Sequence, residues 1–428
     1  VSSKTIPSDA TGLYAWTPSL RSEDYLFATY RIATVLDPHR AAIGMAAEQS
    51  VNATSIQGFV TPEMVEGWTI RVRRVTDLGK ASGTVQPFLL FTDTYHHAIE
   101  MERERACEVE LAYPLRLFSG KPNQLFNSLI GELPRLGFLT QFQLASARLP
   151  NGVFGSGPAF GRQGILDRLG QRRGPLLCRA MRPAMGLDLR TMGRLNYEVL
   201  RHGFHLVKDD ELQVFASNDD FRNHVSTMVD IRDRASRDSG ERKGYICTLL
   251  CEPAELAERW EIAKSMGVDG VLVAPFIQGL GTLASLAAER SLPILAHNTF
   301  SELLSRYERW GIEDAVLFGW LRNLGADWTV TPPYFGEPHS DSELVARVRY
   351  AAGPERDDQK PAMLIMQGGK HPEELPLYLD AAGGADFMLI VASWVDRHPL
   401  GLVQGVREFR TAIDSLGTPA SAPQPSFA

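Results

Sequence analysis

From Leu176 onward one pattern repeats along the chain: a short continuous apolar run, a few small or polar residues, then a longer stretch with apolar positions three and four residues apart. Eight such runs can be read, at Leu176–Arg182, His205–Asp209, Tyr245–Leu250, Gly270–Pro275, Pro293–His297, Trp328–Thr331, Ala362–Gln367 and Phe387–Ser393. Runs without polar interruption suit strands covered on both faces, as in a parallel sheet flanked by helices. The segments between them, for example Pro253–Met266, Thr282–Arg290, Phe300–Trp310 and Glu373–Ala382, have helical spacing and few breakers. Eight alternations predict a closed eight-stranded β/α (TIM) barrel, in which chemistry gathers at the carboxyl ends of the strands.

The amino-terminal third has another texture. Tyr25–Ile32 alternates and reads as a strand, His39–Gln49 as a helix, and Thr69–Val75 and Glu108–Tyr113 as further strands. Together they predict an antiparallel sheet backed by helices, an α+β domain of the ferredoxin-like kind. The densest Gly/Pro stretch, Pro150–Pro158, marks the boundary. The expected organisation is an α+β domain over 1–148, a barrel over 149–416, and a disordered Pro/Ser/Ala tail over 417–428.

Composition narrows the function classes. With 44 basic and 51 acidic residues the net charge is -7, which argues against a general nucleic-acid binder. No apolar run is long enough to span a bilayer and no charged-then-apolar leader is seen, so the expectation is a cytoplasmic protein with no membrane partner. The four cysteines lack a C-x-x-C pair and read as free buried thiols.

The most informative segment is Gly203-Phe204-His205-Leu206-Val207-Lys208-Asp209-Asp210-Glu211, at the end of the second barrel run. Read from the residues, it is either a solvated charged loop or a site for a hard divalent cation such as Mg2+, which takes oxygen ligands. Lys208 would then have to be neutral or carbamylated.

This segment resembles the Rubisco large-subunit motif around the carbamylated lysine. The resemblance implies that Lys208 reacts with carbon dioxide and that its carbamate, Asp210 and Glu211 hold magnesium, with Asp209 a neighbour. Other stretches resemble the family in the same order: Ala46–Ser50, Ala112–Leu115, Ser128–Gly131, Pro175–Leu177, Arg182-Pro183, Gly186-Leu187 and His398–Gly401. Through the first of these, the resemblance implies that Glu48 reaches into a partner subunit's site, hence a homodimer with shared active sites.

Departures from the family pattern define the branch. Arg182 stands in place of the proton-abstracting lysine, Ala184 in place of a second lysine, and Glu337 in place of the mobile-loop lysine, where an acid would repel a carboxylated intermediate. Ala53-Thr54 and Ala392-Ser393-Trp394 replace parts of one phosphate pocket, Gln367-Gly368-Gly369 keeps two of three positions, and Asn298 replaces the arginine of the second phosphate site beside a retained His297. The pattern is similar to the non-carboxylating, type IV Rubisco-like proteins. The resemblance then implies a magnesium-dependent lyase acting on a small-molecule substrate. The expected reaction is decarboxylation or carboxyl transfer of a 3-oxo sugar-acid phosphate, such as 3-oxo-isoapionate 4-phosphate, through a metal-stabilised enolate. Loss of carbon dioxide from a β-keto acid leaves that enolate without a carbon base, which suits the absence of the lysine. The alternatives are an enolase or isomerase of a ketose phosphate, as in methionine salvage, and a non-catalytic scaffold.

Roles follow for individual residues. Arg182, Lys208 and His297 are the candidate catalytic residues. Glu48, Gln367, Gly368, Gly369, Lys370, Ala392 and Ser393 are the candidate substrate-binding ones. Arg182 either anchors an anionic substrate group or braces Asp210 or Glu211. Lys370, Glu132 and His297 are the candidate bases.

Overall fold

A computed structural model describes residues 12–50, 61–81, 104–353 and 359–416. Ala53, Thr54 and the tail from Gly417 lie outside the described residues. The strands in chain order are β1 (Tyr25–Thr34), β2 (Arg71–Lys80), β3 (Arg105–Pro114), β4 (Leu139–Ala147), β5 (Leu176–Ala180), β6 (Leu206–Lys208), β7 (Gly244–Thr248), β8 (Gly270–Val273), β9 (Ile294–Ala296), β10 (Trp310–Ile312), β11 (Trp328–Val330), β12 (Met363–Gln367) and β13 (Met388–Ile390). They fall into two compact units, one of residues 1–157, 279–284 and 299–324, the other of residues 158–278, 285–298 and 325–428.

In the first unit the described strands form one mixed sheet in the order β10-β4-β1-β3-β2. β1, β2, β3 and β4 pair antiparallel in the ferredoxin-like order, and β10 adds to β4 in parallel. The helix Pro38–Glu48 starts on Asp37, whose carboxylate accepts the His39 and Arg40 amides, and buries Ala41, Ala42, Met45 and Ala46. One expectation fails here. Of the stretch Phe300–Trp310 only Ser301–Ser305 is helical, and Trp310–Ile312 is a strand. The apolar residues that gave helical spacing, Leu303 and Tyr307, face solvent, and Gly311 takes φ 144, which a helix excludes.

In the second unit β5, β6, β7, β8, β9, β11, β12 and β13 close a parallel barrel. Each of the eight apolar runs supplies one strand. Alternate residues point inward and fill the barrel, among them Leu176, Leu206, Ile246, Leu272, Leu295 and Trp328. Ile165, Leu166 and Leu169, from the helix Gly161–Arg168, join this core. That helix is fastened by Asp327, a fully buried carboxylate that accepts the amides of Phe160, Gly161 and Ile294 at 2.7, 2.7 and 3.0 Å. No described helix is long and apolar enough to cross a membrane.

His205 ties the first two barrel strands, because its Nδ1 accepts the Leu177 amide at 2.9 Å. Burial, with Arg410 and Lys243 nearby, pushes its imidazole down to about 3. The folded protein therefore holds the ring neutral, whereas the unfolded chain takes up a proton below pH of about 6.5. This contribution is full above that pH and is lost as pH falls toward about 3, by up to about 1.4 kcal/mol per pH unit. In urea titrations between pH 7 and 5, His205→Gln should flatten the fall of stability relative to wild type. Parallel slopes would assign the fall to other groups.

Candidate active site

β6 ends in three successive side chains with different tasks. Lys208 is buried, and its ammonium donates to the Asp209 carbonyl at 3.0 Å and to Glu211 Oε2 at 3.2 Å. Asp209 accepts from His224 Nε2 at 2.8 Å, the Tyr245 hydroxyl at 2.9 Å and the Thr248 amide at 3.0 Å. A buried carboxylate with three donors is a rigid anchor, and it joins the end of β6 to β7 and to the helix Asn218–Ser239. Asp210 is fully buried, its Oδ1 accepting the Leu212 amide at 3.1 Å while its Oδ2 lies 2.7 Å from Arg182 Nε.

Glu211 completes the cluster. Its Oε1 is 3.4 Å from Arg182 Nη2, and its Oε2 is 3.3 Å from His297 Nε2. Burial works against the Glu211 charge, but Lys208, His297 and a backbone hydrogen bond together outweigh it and hold the carboxyl well below the usual range. Burial, reinforced by Lys208, pushes the His297 imidazole down and keeps it neutral near pH 7. Arg182 follows β5, and its carbonyl accepts Arg179 Nη2 at 2.9 Å. Arg179 is itself buried and forked onto Asp396 at 2.9 and 3.2 Å.

These groups open on a cavity of about 270 Å³ lined by Ala180, Arg182, Lys208, Asp210, Glu211, Gln367, Gly368, Gly369, Lys370, Ile390, Val391, Ala392, Ser393 and Trp394. Gly368 and Gly369 take φ of 78 and 54 in succession, a left-handed turn that favours glycine and leaves the backbone there clear of side chains. Lys370 follows them, buried, with its ammonium 5.1 Å from the centre of the Tyr378 ring. Its charge is met by the half-exposed Glu337. The acid read as a source of repulsion thus neutralises a cation at the cavity wall. Asn298 spends its amide on the Thr331 carbonyl at 3.2 Å, so no arginine fork is present at that position.

Of the residues singled out in the sequence, Arg182, Lys208, Asp210, Glu211, Gln367, Gly368, Gly369, Lys370, Ala392 and Ser393 line this one cavity. His297 touches Glu211 without being among the lining residues. Glu48 belongs to the first unit, where its carboxylate takes Arg135 Nη2 at 3.0 Å, and Glu132 takes the same guanidinium at 2.7 Å. Arg179, Asp396, His224 and Tyr245 were not foreseen. Arg179 carried a signal, since an arginine inside the run Leu-Leu-Cys-Arg-Ala has to find an acid.

The donor set can be tested against a divalent ion. Among the described residues no group of three or more His, Cys, Asp and Glu side chains is arranged for a metal. Two carboxylates and an ammonium converge instead, and an ammonium beside a cation is repulsive. The set fits a hard ion once Lys208 carries an oxygen anion.

The ribulose bisphosphate carboxylase large chain catalytic-domain family matches residues 161–422. A ribulose bisphosphate carboxylase-like protein of Archaeoglobus fulgidus is 28% identical over 402 residues, covering 92% of this chain and 88% of that protein. A 2,3-diketo-5-methylthiopentyl-1-phosphate enolase of Bacillus licheniformis is 27% identical over 324 residues, covering 73% and 77%. The octameric ribulose-1,5-bisphosphate carboxylase/oxygenase of Pyrococcus horikoshii has the same fold, with a TM-score of 0.80 at 24% identity over 95% of this chain and 93% of that one.

Removing the Asp209 carboxylate leaves three buried donors without their acceptor. Asp209→Ala should therefore lower stability by about 3 kcal/mol or more, read as a fall in the urea midpoint. An unchanged midpoint would mean that the end of β6 is held by other contacts.

Proposed function

The chain belongs to the ribulose bisphosphate carboxylase large-chain family, and from that premise we propose that it is a non-carboxylating, magnesium-dependent lyase of the Rubisco-like branch. Its reaction is decarboxylation or carboxyl transfer of a small 3-oxo sugar-acid phosphate. One observation carries this reading: every basic side chain lining the cavity is committed to a carboxylate. Arg182 faces Asp210 and Glu211, Lys208 faces Glu211, and Lys370 faces Glu337. A guanidinium does not deprotonate in proteins, so the replacement at Arg182 removes a carbon base without supplying another.

Decarboxylation needs no such base. The bond from the α-carbon to the carboxylate breaks, its electron pair moves into the adjacent carbonyl to give an enolate, and carbon dioxide leaves. A proton then quenches the carbanion, and in transfer the carbon dioxide is taken up by a second carbon nucleophile, which gives up a proton in exchange. A divalent ion held by Asp210, Glu211 and carbamylated Lys208 supplies, when bound, positive charge beside the oxygens that become negative. Gly368, Gly369 and Lys370 bind the phosphate, with Ala392 and Ser393 beside them after the neighbouring strand β13. Neutral His297 lies beside Glu211, with Nε2 3.3 Å from Oε2. A cavity wall with Lys370, and Asn298 rather than an arginine after the retained His297, suits one phosphate rather than two.

A second reading is enolisation of a ketose phosphate, favoured by the similarity to enzymes named 2,3-diketo-5-methylthiopentyl-1-phosphate enolase. His297 is its candidate base. Both readings take the working form as a homodimer, in line with a dimeric relative of known structure, with Glu48 contributing to the partner's site.

A panel of 3-oxo sugar-acid phosphates should release carbon dioxide with the purified protein, while ketose phosphates in deuterated water should show no exchange. Exchange without release would install the second reading. With an accepted substrate, Lys370→Met should raise KM by roughly tenfold or more and leave kcat within a few-fold, the signature of lost phosphate binding. A fall in kcat at constant KM would place Lys370 in the chemistry instead.

A further inference from the structure

The two carboxylates expected to take a metal are already bridged. Arg182 Nε lies 2.7 Å from Asp210 Oδ2 as an ion pair, although that buried oxygen accepts no hydrogen bond, and Nη2 donates to Glu211 Oε1 at 3.4 Å. Neither acid has another strong claim on the oxygen concerned: Asp210 uses its other oxygen for the Leu212 amide, and Glu211 uses its other oxygen for Lys208 and His297. The arginine is built unlike its partners. Its side chain is 50% exposed, whereas those of Asp210 and Glu211 are 0% and 16% exposed. Its backbone is pinned through its carbonyl to Arg179 and so to Asp396. A fixed backbone with a half-exposed side chain lets the guanidinium swing toward solvent while the barrel stays still.

We propose that Arg182 is a tethered cation that occupies the divalent-ion position between Asp210 and Glu211, and that the site takes up its ion only as this guanidinium leaves. The inference rests on the metal reading given above. A guanidinium and a divalent ion cannot take the same carboxylate oxygens at once, and their mutual repulsion adds to the competition. Arg182 therefore competes with the metal. It also spares the loaded-out site the repulsion of two buried anions.

Binding of Mn2+, followed by the signal of the free ion in electron paramagnetic resonance, tests this with wild type, Arg182→Ala, Arg182→Gln and Asp210→Asn, each with and without bicarbonate. Circular dichroism checks that each is folded. The expected result is Mn2+ binding roughly tenfold or more tighter in both Arg182 variants than in wild type, and none in Asp210→Asn. Two variants of different size guard against a local packing defect in one of them. Equal or weaker binding in both Arg182 variants, with Asp210→Asn still silent, overturns the competition and leaves the metal site standing. No binding by any of the four proteins, with or without bicarbonate, overturns the metal reading and this inference together.

Discussion

Asp209 has to be buried in one direction for Lys208 and Asp210 to face the other. Side chains alternate along a strand, and the end of β6 continues that alternation past its last paired residue. The three donors around Asp209, from His224, Tyr245 and Thr248, fix its side. Lys208 and Asp210 then reach the cavity, and Glu211 curls back to meet the lysine three residues before it. A carboxylate that binds neither metal nor substrate thus sets the positions of those that line the cavity.

The cavity is built from opposed charges rather than from a field of one sign. Lys208, Arg182 and Lys370 each stand against an acid, although the three sit at the ends of different strands, β6, β5 and β12. Pairs with one buried partner contribute little net stability, because desolvation of that partner consumes much of the attraction. Their value is positional. A charged ligand entering the cavity meets groups that are already oriented and exchanges one partner for another, rather than desolvating a lone ion.

Much of this was legible in the sequence because burial leaves a pattern. The eight barrel strands are apolar on both faces, so their runs are continuous, and the motif at Lys208–Glu211 falls at a strand end where chemistry is expected. β4 was harder to see. Leu139–Ala147 carries Thr, Gln and Ser among its apolar residues, and its register against β1 shifts twice. β10 could not be read locally at all, since it is defined by a partner more than 160 residues earlier in the chain. The site divides the same way. Bracing or anchoring were both open for Arg182, whose guanidinium lies 2.7 Å from Asp210 and 3.4 Å from Glu211. The pairing of Lys370 with Glu337 needs the barrel to bring the ends of β11 and β12 side by side. Spacing along the chain carries no trace of it.

Charge balance connects the lysine, the arginine and the ion. Turning the Lys208 ammonium into a carbamate exchanges one positive charge for one negative, a change of two at a side chain that is 1% exposed. Such a change cannot stand uncompensated where water is excluded. Arg182 is already present and contributes a single charge, so it can offset only the acids that exist before the modification. A divalent ion supplies two positive charges, one fewer than the modification and the departure of Arg182 would together remove. On the proposed reading, modification of Lys208 and uptake of the ion would for this reason be favourable together and unfavourable apart, with the guanidinium keeping Asp210 and Glu211 compensated when neither has occurred. An arginine suits that office better than a lysine would, because its planar fork spans two carboxylates at once and never loses its charge.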